Sequence, residues 1–228
     1  MASKKDIEKI KKRIKDAFRK YAKSANRNEY KAIFQALPSG IRSGKLYEAL
    51  ILSEVIKNLA ISEGFNLKLK NSQYLNLKAS PGPINRNYAY IEVWKGSKLF
   101  GELWTDIEFR TLSSKEGFSD RSNYHELDVV LVKPGETGRP DYDKIFIGIE
   151  CKNTLFNKGI FREVLGLRRE MGYKVDDKKT EFNKWPRKMI PYSPPSCYLI
   201  YSSDEKILDF RSSADFFGID LLHVEVGD

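Results

Sequence analysis

Three charged side chains interrupt two otherwise apolar segments of the chain. Asp128 lies within residues 127–132, and Glu150 and Lys152 lie at the end of residues 145–152. Charged groups in apolar segments are costly unless they pair or bind a metal. Two neighbouring carboxylates repel each other, and a hard cation such as Mg²⁺ relieves that repulsion while it keeps several water ligands. These residue types therefore indicate metal-dependent chemistry on a phosphodiester.

The spacing of these residues predicts where their side chains meet. Side chains alternate along a strand, so Glu150 and Lys152 project from one face with Cα atoms about 6–7 Å apart. The Pro, Gly and charged residues of 133–144 indicate a long hairpin loop, which brings Val132 near Ile145. A one-residue adjustment of the register then places Asp128 opposite Glu150. We expect two carboxylates and an ammonium to converge, and the alternative is a structural ion pair.

Two segments carry a resemblance to a known family: Glu126-Leu127-Asp128-Val-Val-Leu-Val132 and Ile147-Gly-Ile149-Glu150-Cys151-Lys152-Asn153. Together with a helix on either side, over residues 44–201, they resemble the PD-(D/E)XK nuclease superfamily with its restriction-endonuclease-like fold. The resemblance implies that Asp128 and Glu150 hold the metal and that the backbone carbonyl of Cys151 can also ligate it. It implies that Lys152 activates water or steadies the developing charge. Leu127 stands where the motif's name has proline.

Two further acidic positions bear on this resemblance. Many family members add an acidic residue from the first core helix, and Glu48, in the strongly apolar helical pattern of residues 45–59, resembles that ligand. Glu54 on the same helix competes with it. A literal Pro140-Asp141 lies in the hairpin loop, where an extended strand would place it roughly 30 Å from Glu150. We therefore interpret Asp141 as a turn residue.

The remaining patterns predict the fold class. Alternating or short apolar runs predict strands at residues 65–70, 88–94, 99–112, 197–201 and 221–226, with a hairpin turn at 95–97. A helix is predicted at 161–171, a polar loop at 113–123, and an irregular basic and aromatic stretch at 173–195. We expect an α/β fold, a restriction-endonuclease-like mixed sheet flanked by helices. Asp106 and Glu108 share a face of their strand, either beside the site or on an exposed surface.

The composition of the chain argues against several classes of protein. The chain has 228 residues, of which 41% are hydrophobic, enough for one packed domain. No apolar run reaches the roughly 18–20 residues of a membrane span, and the lysine-rich start has no export signal, so a cytoplasmic location is expected. The two cysteines and two histidines match no zinc or disulfide pattern. His125 adjoins the motif, either as a phosphate contact or as a solvated side chain.

The net charge of +9 is concentrated at one end. Residues 1–31 carry 12 basic and 4 acidic side chains, a net of +8, so the rest of the chain is nearly neutral. An isoleucine stripe at spacings of 3 and 4 predicts a helix that either docks on the domain or contacts phosphates. We divide the chain into a basic helical extension, residues 1–40, and a core domain, residues 41–228. The predicted phosphate contacts are Lys11, Lys12, Arg13, Lys15, Lys184, Arg187 and Lys188.

The sequence thus predicts an endonuclease that hydrolyses DNA with Mg²⁺, for which Mn²⁺ can substitute. The alternative is a nuclease-fold module that binds nucleic acid or a partner subunit without cutting. The choice of DNA or RNA, the recognition sequence and endo or exo action stay open. The sequence also leaves open whether the chain assembles as a homodimer or within a larger restriction or defence complex. No membrane partner is expected.

Overall fold

The computed structural model describes residues 4–23, 43–71 and 80–225. Its helices are α1 (Lys4–Tyr21), α2 (Ser43–Ile61), α3 (Leu112–Lys115), α4 (Lys158–Glu170) and α5 (Arg211–Phe216). Its strands are β1 (Ala22–Lys23), β2 (Asn66–Lys70), β3 (Tyr90–Lys95), β4 (Lys98–Arg110), β5 (Tyr124–Val132), β6 (Ile145–Lys152), β7 (Tyr173–Lys179), β8 (Met189–Ser193), β9 (Cys197–Ser202) and β10 (Ile219–His223).

One mixed sheet organises the described chain. Its strand order is β1-β2-β3-β4-β5-β6-β9-β10, and β7 and β8 form a separate two-stranded ribbon. From β2 to β6 each strand is antiparallel to the next, whereas β1 runs parallel to β2, β9 runs parallel to β6 and β10 runs parallel to β9. The helix α4 connects β6 to β9 through the ribbon. The predicted α/β class, with a mixed sheet flanked by helices, is confirmed at this level.

Two apolar cores lie on opposite faces of the sheet. The first contains most of α2, whose apolar residues cover nearly all of its faces, together with Ile10, Ile14 and Phe18 of α1. The second contains Phe161 and Val164 of α4. Asn157 begins α4 by accepting hydrogen bonds from the first N–H groups of the helix. The isoleucine stripe of α1 is therefore docked on the domain, while its basic faces point elsewhere.

Most predicted elements lie within a few residues of the observed ones. The strand at 145–152 has the predicted bounds, and the turn at 95–97 separates β3 from β4. The interpretation of residues 173–195 as irregular was wrong, because β7 pairs with β8 there. All seven side chains of β7 are exposed, so it lacks the alternation that signals a strand. The predicted loop 113–123 begins with the short helix α3, capped by Thr111.

Some predictions fall on undescribed residues, namely the second part of the basic extension at 24–40 and the last residue, Val226, of the predicted strand at 221–226. Among the described helices, none is long and apolar enough to cross a membrane.

Candidate metal centre

The pairing of β5 with β6 sets the positions of the motif residues. Val132 pairs with Ile145 next to the loop, but Leu131 pairs with Ile147 and Val129 with Ile149, so the register shifts by one residue at a β-bulge. One step further along, this shifted register places Asp128 level with Glu150. The one-residue shift of register that the sequence predicted is therefore made by the bulge between Leu131 and Val132, next to the loop.

A second irregularity occurs where β4 meets β5. Thr105 pairs with Val129 and Ile107 pairs with Leu127, so Asp106 lies level with Asp128 on the neighbouring strand. Asp106 has a φ of 53°, the left-handed region that non-glycine residues seldom adopt. Leu103 belongs to the core on the α2 face, whereas Ile107 belongs to the core on the α4 face, although strand alternation would put both on one face.

The same change of face occurs in β5, since Val129 faces the first core and Leu127 faces the second. Asp106 and Asp128 are the residues at which the two strands change face. Both carboxylates consequently lie at a break in the side-chain pattern of the sheet instead of within one of its two apolar cores.

Three carboxylates gather at this break. One oxygen each from Glu48, Asp106 and Asp128 lie within 4.8 Å of one another. Lys45, one turn before Glu48 on α2, donates hydrogen bonds to Glu48 (Nζ–Oε2 2.7 Å) and to Asp106. Asp106 is 3% exposed, so its charge is held almost out of water. The Lys45 ammonium provides part of the compensation that such buried carboxylates require.

Asp128 links these carboxylates to the end of β6. Its Oδ2 accepts a hydrogen bond of 2.6 Å from the backbone N–H of Cys151, the residue between Glu150 and Lys152. The charges of Lys152 and Lys45 both act on this carboxylate. Asp128 is therefore positioned by the backbone of the very segment that carries the rest of the motif.

Glu150 and Lys152 form the other half of the site. Lys152 Nζ donates to Glu150 Oε2 at 2.9 Å, which confirms that the two side chains share a face. Glu150 is 7% exposed, and its other oxygen, Oε1, is buried with no hydrogen-bond partner among the described residues. Both side chains line a cleft of about 530 Å³ beside α4, together with His125, Glu126, Glu163 and Tyr198. Glu150 is not one of the three closely gathered carboxylates.

Burial and mutual repulsion make these groups hard to ionise. Burial, reinforced by the carboxylates of Asp128 and Asp106, raises the pKa of Glu48 from 4.5 to about 7 even though Lys45 opposes the shift. Burial also raises the pKa of Asp128, against the Cys151 hydrogen bond. Burial and the Asp128 charge raise the pKa of Glu150, against Lys152. Three carboxyl groups, those of Glu48, Asp128 and Glu150, thus have raised pKa values because the protein compensates their charge only in part.

The donor set suits a hard divalent cation. Its members offer carboxylate oxygens, the ligand type that Mg²⁺ and Mn²⁺ prefer. The buried, unpartnered oxygen of Glu150 is a group that a bound ion or an ordered water would satisfy. The residues present therefore fit the ion that the sequence indicates.

The structure distinguishes between the acidic alternatives. Glu48 lies in the gathered group, whereas Glu54 pairs with Arg13 and Lys57. Asp141 accepts from Arg110 at 2.7 Å and precedes a turn of 3₁₀ helix, so its interpretation as a loop residue is confirmed.

Asp106 is the residue that sequence reasoning underrated. The exposed strand face offered for it was wrong, because a left-handed backbone turns its side chain into a buried position. An aspartate in an apolar strand was the only signal, and Glu108, two residues on, instead pairs at the surface with Arg139.

Three of the seven predicted phosphate contacts form ion pairs within the protein. Lys11 pairs with Glu8, and Arg13 pairs with Glu54. Arg187 is held by Asp215 and Asp220, and the backbone N–H of Lys184 donates to Glu63. The loop between β7 and β8 lies near the start of β6, because Phe182 contacts Phe100 and Phe100 contacts Phe146, whereas Lys152 ends that strand. Nucleic-acid binding by these residues stays a prediction.

Comparison with known proteins adds no assignment: no family model, curated protein or solved structure matches the chain.

Proposed function

We propose that this protein is a metal-dependent endonuclease that hydrolyses phosphodiester bonds of DNA. One observation carries the proposal: Asp128 is hydrogen-bonded to the peptide between Glu150 and Lys152, so the three motif side chains meet at one strand end. The restriction-endonuclease-like arrangement is part of the proposal. It is supported by the helix α2, which contributes Glu48 before the motif strands, and by α4, which follows them.

Each motif residue has a role in this proposal. Asp128, Glu150 and the Cys151 carbonyl would hold the ion, and Glu48 would add a ligand from α2. When bound, Mg²⁺ or Mn²⁺ polarises a phosphate oxygen and lowers the pKa of water.

Lys152 is suited to act on the attacking water and on the charge of the transition state. Its side chain is 26% exposed and lines the cleft, so the ammonium reaches solvent without leaving Glu150. Although burial opposes it, the charge of Glu150 raises the pKa of Lys152, which keeps the side chain protonated at neutral pH. A protonated lysine can orient a water for in-line attack and stabilise charge that develops on phosphate. No covalent protein nucleophile is required.

The test is cleavage of supercoiled and linear DNA in Mg²⁺, in Mn²⁺ or in EDTA. We expect nicking or cutting with either ion and none with the chelator. Glu150→Gln and Lys152→Ala should abolish cutting without loss of the folded state by circular dichroism. Lys133→Ala, at an exposed position by the hairpin loop, is the control and should cut at the wild-type rate. Cleavage in excess chelator, or cleavage by both site variants, would remove the proposed site.

One observation favours a second function, a module that binds nucleic acid or a partner without cutting. The ammonium groups of Lys45 and Lys152 already compensate part of the carboxylate charge. Such a module would bind DNA in EDTA and would show no Mn²⁺ binding by titration calorimetry. Measurable Mn²⁺ binding that Asp128→Asn removes would favour the nuclease.

A further inference from the structure

Tyr198 is a cleft residue that neither the sequence motif nor the proposed metal site uses. It lies on β9, where it pairs with Gly148 of β6, while Ile200 pairs with Glu150. Residues paired in register project to the same face of a sheet, so Tyr198 and Glu150 share the face that α4 covers. Both line the cleft of about 530 Å³.

The hydroxyl of Tyr198 is in an unusual position for a buried polar group. The residue is 0% exposed, and its oxygen has no hydrogen-bond partner within the described part of the protein. Glu150 Oε1, in the same cleft, is buried and unpartnered in the same sense. Burial and the nearby Glu150 and Asp128 charges raise the pKa of Tyr198 well above its usual range, so the phenol stays protonated and can donate.

The two orphaned atoms require a ligand of one chemical kind. An ionised Glu150 oxygen only accepts hydrogen bonds, whereas the Tyr198 hydroxyl can donate one. A single molecule that satisfies both atoms must donate to the carboxylate and accept from the phenol. A phosphate oxygen cannot donate, and a metal ion cannot accept. Water does both, and Lys152, which holds the other oxygen of Glu150, lies in the same cleft.

We propose that Tyr198 and Glu150 Oε1 together bind the water that attacks the phosphodiester, which makes Tyr198 a further catalytic residue. This role rests on the proposed nuclease function. The phenol O–H donates to one lone pair of the water oxygen, and one water O–H donates to Glu150. The other lone pair forms the new bond to phosphorus while the bond from phosphorus to the leaving oxygen breaks, and Glu150 takes the proton that the water loses. The arrangement fixes the orientation of the water before the phosphate arrives. The two buried atoms without hydrogen-bond partners lower the stability of the folded protein.

This loss of stability can be measured independently of activity, as a change in Tm. Removing a buried hydroxyl that no protein group satisfies should stabilise the protein, whereas removing one that forms a structural hydrogen bond should destabilise it. Tyr198→Phe should raise Tm by about 2–4 °C in a metal-free thermal scan. Under single turnover on plasmid DNA it should lower the cleavage rate by about 10²-fold, and the affinity for Mn²⁺ should stay within twofold of wild type.

Tyr47→Phe is the matched control. Its hydroxyl is also buried and has no hydrogen-bond partner among the residues that the structure describes, but Tyr47 belongs to the core on the α2 face, beside Tyr201. This variant should raise Tm similarly and cut at the wild-type rate.

Each result decides the role of Tyr198. A slower reaction with Tm at or above the wild-type value and unchanged Mn²⁺ affinity supports it. A wild-type rate, a lowered Tm, or a loss of Mn²⁺ affinity that accounts for the slower rate overturns it. None of these results removes the nuclease function, which has its own test: it fails if no cutting occurs with Mg²⁺ or Mn²⁺, or if cutting persists in EDTA and in the Asp128→Asn variant.

Discussion

The carboxylate of Asp128 on β5 accepts a hydrogen bond of 2.6 Å from the backbone N–H of Cys151 on β6. This contact crosses two strands that are joined by a long loop, and it fixes Asp128 beside Glu150 and Lys152. It also means that the position of Asp128 and the course of the motif strand depend on each other. Loss of the charge and loss of the hydrogen bond are therefore separable by substitution.

Asp128→Asn should eliminate Mg²⁺-dependent cleavage while the protein remains folded. The asparagine oxygen can still accept from Cys151, but the charge that attracts the cation is gone. Asp141→Asn is the matched control, because Asp141 pairs with Arg110 and Lys115 outside the site. Its cleavage rate should stay within a few-fold of wild type. Plasmid nicking assays compare the two, and reversed phenotypes would place the metal in the loop.

Glu48→Gln should weaken Mn²⁺ binding by about 10-fold or more, because it removes one of three gathered carboxylates. Glu54→Gln is the matched control on the same helix, since Glu54 pairs with Arg13 and Lys57. Titration calorimetry measures both variants. Equal Mn²⁺ affinities of the two variants would show that Glu48 has only a structural role.

Lys45→Met should increase Mn²⁺ affinity several-fold and lower the Tm of the metal-free protein. The Lys45 ammonium now lies against Glu48 and Asp106, where a cation bound by these groups would meet its repulsion. Without it, the carboxylates lose their compensation until metal binds. Lys57→Met, which removes a half-exposed ammonium, serves as the control. Weaker Mn²⁺ binding by Lys45→Met would show that the lysine supports the ion instead of competing with it.

The metal-free protein should lose stability as the pH rises from about 5 to 8. Glu48 has a pKa of about 7 in the folded protein and 4.5 as its ordinary value. Between these values the folded state binds more protons than the unfolded chain, so the free energy of unfolding falls as the pH rises. The raised pKa values of Asp128 and Glu150 act in the same direction.

Thermal scans across this pH range measure the effect, and Glu48→Gln should flatten the slope. Protons compete with the cation for the same oxygens, so Mn²⁺ affinity should rise over the range in which stability falls. A metal-free Tm that rises from pH 5 to 8 would contradict the buried, poorly compensated carboxylates.

Replacing Lys11, Lys12 and Lys15 by glutamine should make DNA binding less dependent on salt. If each contacts a phosphate, the slope of log K against log salt concentration should fall by about 0.9 per residue. Binding isotherms in EDTA at several salt concentrations measure this slope. A triple variant at the exposed lysines 98, 133 and 206 is the control for net charge. Equal slopes for the two variants would show that α1 packs against α2 without contacting DNA phosphates.

The motif and the face shared by Glu150 and Lys152 could be predicted from the sequence alone. Strand periodicity is a local property, since alternate side chains point the same way whatever the strand packs against. The apolar patterns of α2 and of the isoleucine stripe are local in the same sense. They predicted helices and the apolar face of α1, and left open whether that helix docks on the domain or contacts phosphates.

Pairing between distant segments decided the rest. The bulge at Leu131 and Val132 sets the level of Asp128, and the left-handed backbone of Asp106 brings a fourth carboxylate into the site. The exposed strand β7 exists because β8 pairs with it. These features depend on hydrogen bonds between strands and on burial against α2 and α4. Neither is encoded in the spacing of residues within one segment, so only the tertiary structure could decide them.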